Sequence, residues 1–164
     1  MNDPFKLKVL KALTAALEEI TTANGYQHDL DGKVFRGRLM FTQDDKLPFV
    51  AVNEPPKAPD EIETPNGSAA AKTSHALLIQ GFAQDDNLNP TDPAYYLVAD
   101  VQQRLSEEKV RADGYDILGM GSRISAIHIG QPVVRPPDAA VSDTAFFWLP
   151  VTLEYAENLK NPFA

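Results

Sequence analysis

The segment AFFWLPVTLEY, residues 145–155, is the strongest constraint on the fold. Phe147, Leu149, Val151, Leu153 and Tyr155 recur at every second position, so an extended chain turns all five to one face. A strand this apolar on one side needs a covering layer. Pro150 lies in the middle of the run and has no N–H to give to a ladder, which predicts an edge position or a bulge.

Two amphipathic segments can supply the cover. In PFKLKVLKALTAALEEI, residues Phe5, Val9, Leu10, Leu13, Ala16, Leu17 and Ile20 share one arc at helical spacing, with Lys8, Lys11, Ala15, Glu18 and Glu19 opposite. Asp3 and Pro4 read as an N-cap followed by a first-turn proline, and Asn24 or Gly25 suits a left-handed C-cap. In PAYYLVADVQQRLSEEK, Ala94, Leu97, Val98, Val101 and Leu105 align, Asp92–Pro93 repeats the start signal, and Gly114 lies at the close.

Between these helices the chain reads as strands. KVFRGRLMF and LPFVAV, separated by a polar turn, predict an antiparallel hairpin, with Gly37 marking a bulge or close approach. HALLIQGFAQ predicts a long central strand and SRISAIHIGQPVV another near the C-terminal end. Residues 55–74, PPKAPDEIETPNGSAAAKTS, offer little large apolar surface besides Ile62 and predict a long mobile loop. The whole is an α+β domain spanning 1–164. Its sheet of about five strands is antiparallel or mixed, with two helices on one face and the order α-β-β-β-α-β-β.

Composition narrows function mainly by exclusion. The 164 residues contain no cysteine, which removes disulfides, thiolate nucleophiles and thiolate metal sites. A net charge of −8 lacks the basic excess of a nucleic-acid binder. No apolar run approaches bilayer length and MNDPFK has no signal-peptide core, so a cytoplasmic protein without membrane contact is expected.

Chemical motifs are few. His28 neighbours Asp29 and Asp31 in a turn and reads as solvated; His75 and His128 read as ordinary strand residues without zinc-ligand spacing. Asp85, Asn87 and Asn89 begin like a calcium loop, but Pro90 and Tyr96 occupy the places that need glycine and glutamate. Gly119-Met120-Gly121 is not a dinucleotide loop. The adjacent carboxylates Asp44–Asp45, Asp85–Asp86 and Glu107–Glu108 read as solvated charges. No catalytic residue, cofactor or metal site is expected. Arg36 and Arg38 stand two apart in a strand, which predicts one shared face, exposed to solvent or meeting carboxylates of a neighbouring subunit. Asp60, Glu61 and Glu63 of the loop join them as candidate interface residues.

The element order carries a resemblance. A first helix ends in ANGY, a strand VFRGR and then LPFVAVNE follow, and after the loop come a central apolar strand, a long helix, AFFWLPVTLEY and a C-terminal NPF. This pattern resembles the tail terminator proteins (minor tail protein U-like) of long-tailed bacteriophages over nearly the full chain. The resemblance implies a virion structural protein without enzymatic activity or cofactor, made in the host cytoplasm. It implies a homo-oligomeric ring, usually six-membered, on the head-proximal end of the tail tube. Such a ring stops tube polymerisation, meets head-completion or connector proteins and lets DNA pass without specific binding. Two alternatives stand beside it. One is another neck, connector or tail-tube subunit; the other is a small-ligand protein or enzyme built on residues such as His128, Asp116 and Arg123.

Overall fold

In the computed structural model, which describes residues 1–42, 44–56 and 64–164, the alternating segment becomes one of two 13-residue strands in a six-stranded mixed sheet. The elements are α1 (Phe5–Glu18), β1 (Val34–Arg36), β2 (Phe49–Asn53), β3 (Ala70–Phe82), α2 (Asp92–Val110), β4 (Ile124–Ile129), β5 (Val133–Arg135) and β6 (Phe146–Asn158). The strand order is β1-β2-β3-β6-β4, with β5 also paired to β6. The sheet is open, and both helices cover one of its faces. The α+β class and the general element order follow the sequence reading, with the expected fourth strand divided into β4 and β5.

The apolar arcs explain the packing. Phe5, Val9, Leu13, Ala16, Leu17 and Ile20 are buried, as are Ala94, Leu97, Val98, Val101 and Leu105. They meet Val50, Val52, Leu77, Ile79, Phe147, Leu149, Val151, Leu153 and Tyr155 from the sheet in one core. Each such leucine or valine contributes roughly 1.5–3 kcal/mol by leaving water. The pleat places Gly81 against this layer beside Phe147. A Cβ there would lie 1.9 Å from the Phe147 ring, so only glycine lets that ring sit flat on the strand.

Four expectations are corrected. First, β6 is interior, lying between β3 and the β4–β5 side, despite Pro150. Pro150 accepts from the Gly130 N–H at 2.8 Å, where the chain passes from β4 to β5. Within a strand, N–H and C=O of one residue point to the same side. The donor that proline lacks therefore faces an interruption of the ladder.

Second, β1 and β2 run parallel, in the register Val34↔Val50, Phe35↔Ala51 and Arg36↔Val52. The strand stops at Arg36 because Gly37 takes φ +64°, and residues 37–48 return the chain to the start of β2. Parallel neighbours need a crossover of about a dozen residues, a length that the sequence alone does not distinguish from strand plus turn.

Third, β3 begins at Ala70, inside the expected loop. Ala70 to Ser74 pair with Asn158 to Glu154. The extended β6 supplies a ladder that offsets the low apolar content of AAKTS. Of the remaining expected loop, residues 57–63 lie outside the described residues, and with them candidates Asp60, Glu61 and Glu63.

Fourth, the capping differs in detail. Pro4 is the N-cap of α1, while Asp3 pairs with Lys11 at 2.6 Å. Gly25 is left-handed at φ +91° but closes a 3₁₀ turn over Thr22–Asn24, downstream of α1. Thr91 rather than Asp92 precedes α2. Among the described residues no helix is long and apolar enough to cross a membrane.

Candidate functional site

Among the described residues, the face of the sheet turned away from the helices has no helical layer, and its character changes along the strands. By register, Phe49, Phe82 and Phe146 form one row across β2, β3 and β6, and Ala51, Gln80 and Trp148 the next. Further along, Ala76, Thr152 and His128 make a polar, wetter row. The phenylalanine row stacks tightly, with ring centroids 4.8 Å apart for Phe49–Phe82 and 6.2 Å for Phe82–Phe146; Trp148 lies 5.5 Å from Phe146. These rings form a second, smaller apolar cluster with Phe35, Phe41 and Leu47.

The crossover after β1 builds one wall over this row. Phe41 lies 4.6 Å from Phe49 and 4.9 Å from Phe82. The Arg38 guanidinium stands 4.6 Å above the Phe35 ring and 5.4 Å from Phe41, and pairs with Asp45 at 2.8 Å. Cation and ring attract through the ring quadrupole, while Asp45 fixes the guanidinium's position. The Thr42 N–H donates to Asp45, and with the Arg38 charge it holds that carboxyl below the usual carboxylate range.

A second wall comes from the segment between β5 and β6, closed on itself by a bridge between Asp138 and Ser142. A cavity of 380 Å³ lies between the walls, with Phe49 and Phe82 among its lining and Leu39 and Val141 on opposite sides. The tips stay apolar and exposed: Leu39 is 78% and Val141 46% accessible. Exposed apolar side chains gathered at one cleft mark an interaction surface more often than a reactive centre.

The two arginines do not share a face. Arg36 turns to the helix side and donates to Thr14 Oγ1 at 3.2 Å, whereas Arg38 crosses to the opposite side. The physical cause is Gly37, whose left-handed backbone breaks the two-residue period between them.

The histidines also separate. His28 is anchored, not merely solvated: its ring Nδ1 lies 2.7 Å from buried Asp100, which also accepts from the Gln27 and His28 N–H groups. His75 faces the helix side, 2.9 Å from the Tyr155 hydroxyl and 3.5 Å from Glu54. Burial pushes the Tyr155 hydroxyl well up and the His75 imidazole down. His128 lies on the open face, 3.5 Å from Glu154. Asp116 pairs with Arg111 at 3.3 Å, and Arg123 stacks 3.7 Å over Phe5, so neither joins His128 in a common site.

Glu108 departs most from a solvated charge. It is 2% exposed, pairs with Arg104 at 2.6 Å and accepts from the Leu118 N–H at 2.8 Å. Arg104 also reaches Glu19 and the Ala16 carbonyl, each at 2.8 Å, which ties α2 to α1. Nearby, burial and the Glu107 carboxylate push the Tyr26 hydroxyl up to about 12. This network is structural: it joins elements and lines no cavity described above.

Sequence reasoning did not single out the aromatic open face. The signal was present in AFFWLPVTLEY, where Phe146 and Trp148 occupy the parity opposite the helix-facing series. No protein-family model matches the chain, and no curated protein matches it.

Proposed function

We propose that this chain is a structural subunit of a phage tail, of the tail-terminator kind. It assembles as a ring on the head-proximal end of the tail tube and presents a surface to head-completion proteins. The observation that supports this reading is the open sheet. Among the described residues, the outer edges of β1 and β4 pair with no further strand. Two unpaired edges on opposite sides of one subunit suit head-to-tail contacts, which close into rings when the rotation permits. The acidic charge suits a conduit that repels passing DNA rather than holding it.

The test is native mass measurement with negative-stain imaging, with and without preformed tail tubes. The expected result is a closed ring, free or seated on one tube end, and tubes that stop growing once capped. A protein that stays monomeric and leaves tube growth unchanged would overturn the reading. Charge reversal at exposed Arg36 is expected to reduce assembly more than folding, read by ring yield against thermal unfolding, whereas at Arg38 it also sets two carboxylates against each other at Asp45.

A further inference from the structure

We propose that the cavity between the two open-face loops is a docking pocket for another protein. It takes one large apolar side chain from a segment that carries Lys or Arg beside it. This inference rests on the open face itself and stands whether or not the chain forms a ring.

The floor and the rim point to that occupant separately. Phe49 and Phe82 line the 380 Å³ space, a volume in the range of specific binding pockets. Its apolar surface does not stop at the opening: the lining residues Leu39 and Val141 are themselves exposed and continue it outward onto the loops. A small ligand filling the cavity would leave those tips in water, whereas a protein segment would cover floor and tips together.

Charge selects the kind of segment. Among the described residues, the charged side chains lining the cavity are Asp45 and Asp143, both carboxylates. Asp45 is already paired with Arg38, which leaves Asp143 on the opposite wall to receive a cation. The Asp143 carboxylate at the rim attracts a segment that carries Lys or Arg and repels one that carries Glu or Asp.

Trp148, the single tryptophan, lies against Phe146, which stacks on the lining residue Phe82, so its fluorescence reports on the pocket. The probe is a short capped peptide with one phenylalanine between lysines, compared with the same peptide carrying glutamates and with one carrying serine for phenylalanine. The full chain is titrated while Trp148 emission and the backbone amide resonances of residues 39–42 and 141–144 are followed. The lysine–phenylalanine peptide is expected to shift both signals saturably. Asp143→Lys, and separately Leu39→Ser with Val141→Ser, should each weaken it about tenfold. These positions are exposed, and far-UV circular dichroism checks that each variant keeps its fold. Absence of any shift with the lysine peptide overturns the proposal. So does equal binding of the glutamate peptide. Concentration-dependent self-association that Leu39→Ser abolishes would assign the pocket to a second copy and also overturn it.

Discussion

The two faces of the sheet are built from the same strands yet solve burial differently. On the helix side, β2, β3 and β6 meet α1 and α2, and nearly every side chain in the layer is buried. On the other side no helix arrives from among the described residues. A short row of aromatic rings is roofed by two loops, and the roof is incomplete. Helices supply a continuous apolar stripe, so the side chains of the first face are buried. Loops supply only single side chains such as Phe41, so the second face keeps a cleft and wet apolar tips. The contrast separates a face that holds the fold together from one that keeps exposed apolar surface.

Mutations can break this comparison, beginning with the largest effect. Phe147→Ala, on the helix side, should cost about 3–5 kcal/mol in denaturant unfolding. Trp148→Ala, one residue on and facing the other way, should cost clearly less, although tryptophan is the larger side chain. Equal losses would erase the distinction between the faces.

Glu108→Ala extends the comparison to the buried charges beneath the helices. It removes one of the carboxylate partners of Arg104, which keeps Glu19 and the Ala16 carbonyl, and leaves the Leu118 N–H unsatisfied, at a cost of about 1–3 kcal/mol by chemical denaturation. Gly81→Ala comes next. The new methyl meets the Phe147 ring, and the rearrangement should cost about 1–3 kcal/mol, read as a lower unfolding midpoint.

The smallest effect is a dependence on pH. Burial holds His75 neutral below its ordinary value of 6.5, against the opposing pull of Glu54 and Glu157 and with the help of Lys6. Between the folded and ordinary values the unfolded chain binds more protons than the folded one. His75 therefore adds stability that is present above pH 6.5 and is lost as pH falls through its folded value. His75→Asn should flatten that limb of the stability–pH curve. A limb unchanged by the substitution would place the titration elsewhere.

Much of the helix side was legible in the sequence. Periodicity alone identified both helices, their buried stripes and the five β6 residues they cover, because burial on one face imprints a repeat that no other context produces. The segment HALLIQGFAQ was also legible as a long, central strand, though not its start at Ala70. The interface candidates fared differently. Arg36 and Arg38 were expected together, and one left-handed glycine put them on opposite faces.

What the sequence determined by itself is therefore the α+β class, the order of elements and the side of each helix that is buried. These depend on local spacing and local backbone preference. Tertiary structure alone decided that β1 runs parallel to β2, that AAKTS pairs as strand, that a proline can stand in an interior strand, and that Glu108 is buried. Each depends on which distant segment arrives to pair a backbone group or satisfy a charge, and spacing within a segment carries no record of that. The aromatic cleft belongs with them: its rings were visible one by one, but only the two loops folding over the sheet make them a pocket.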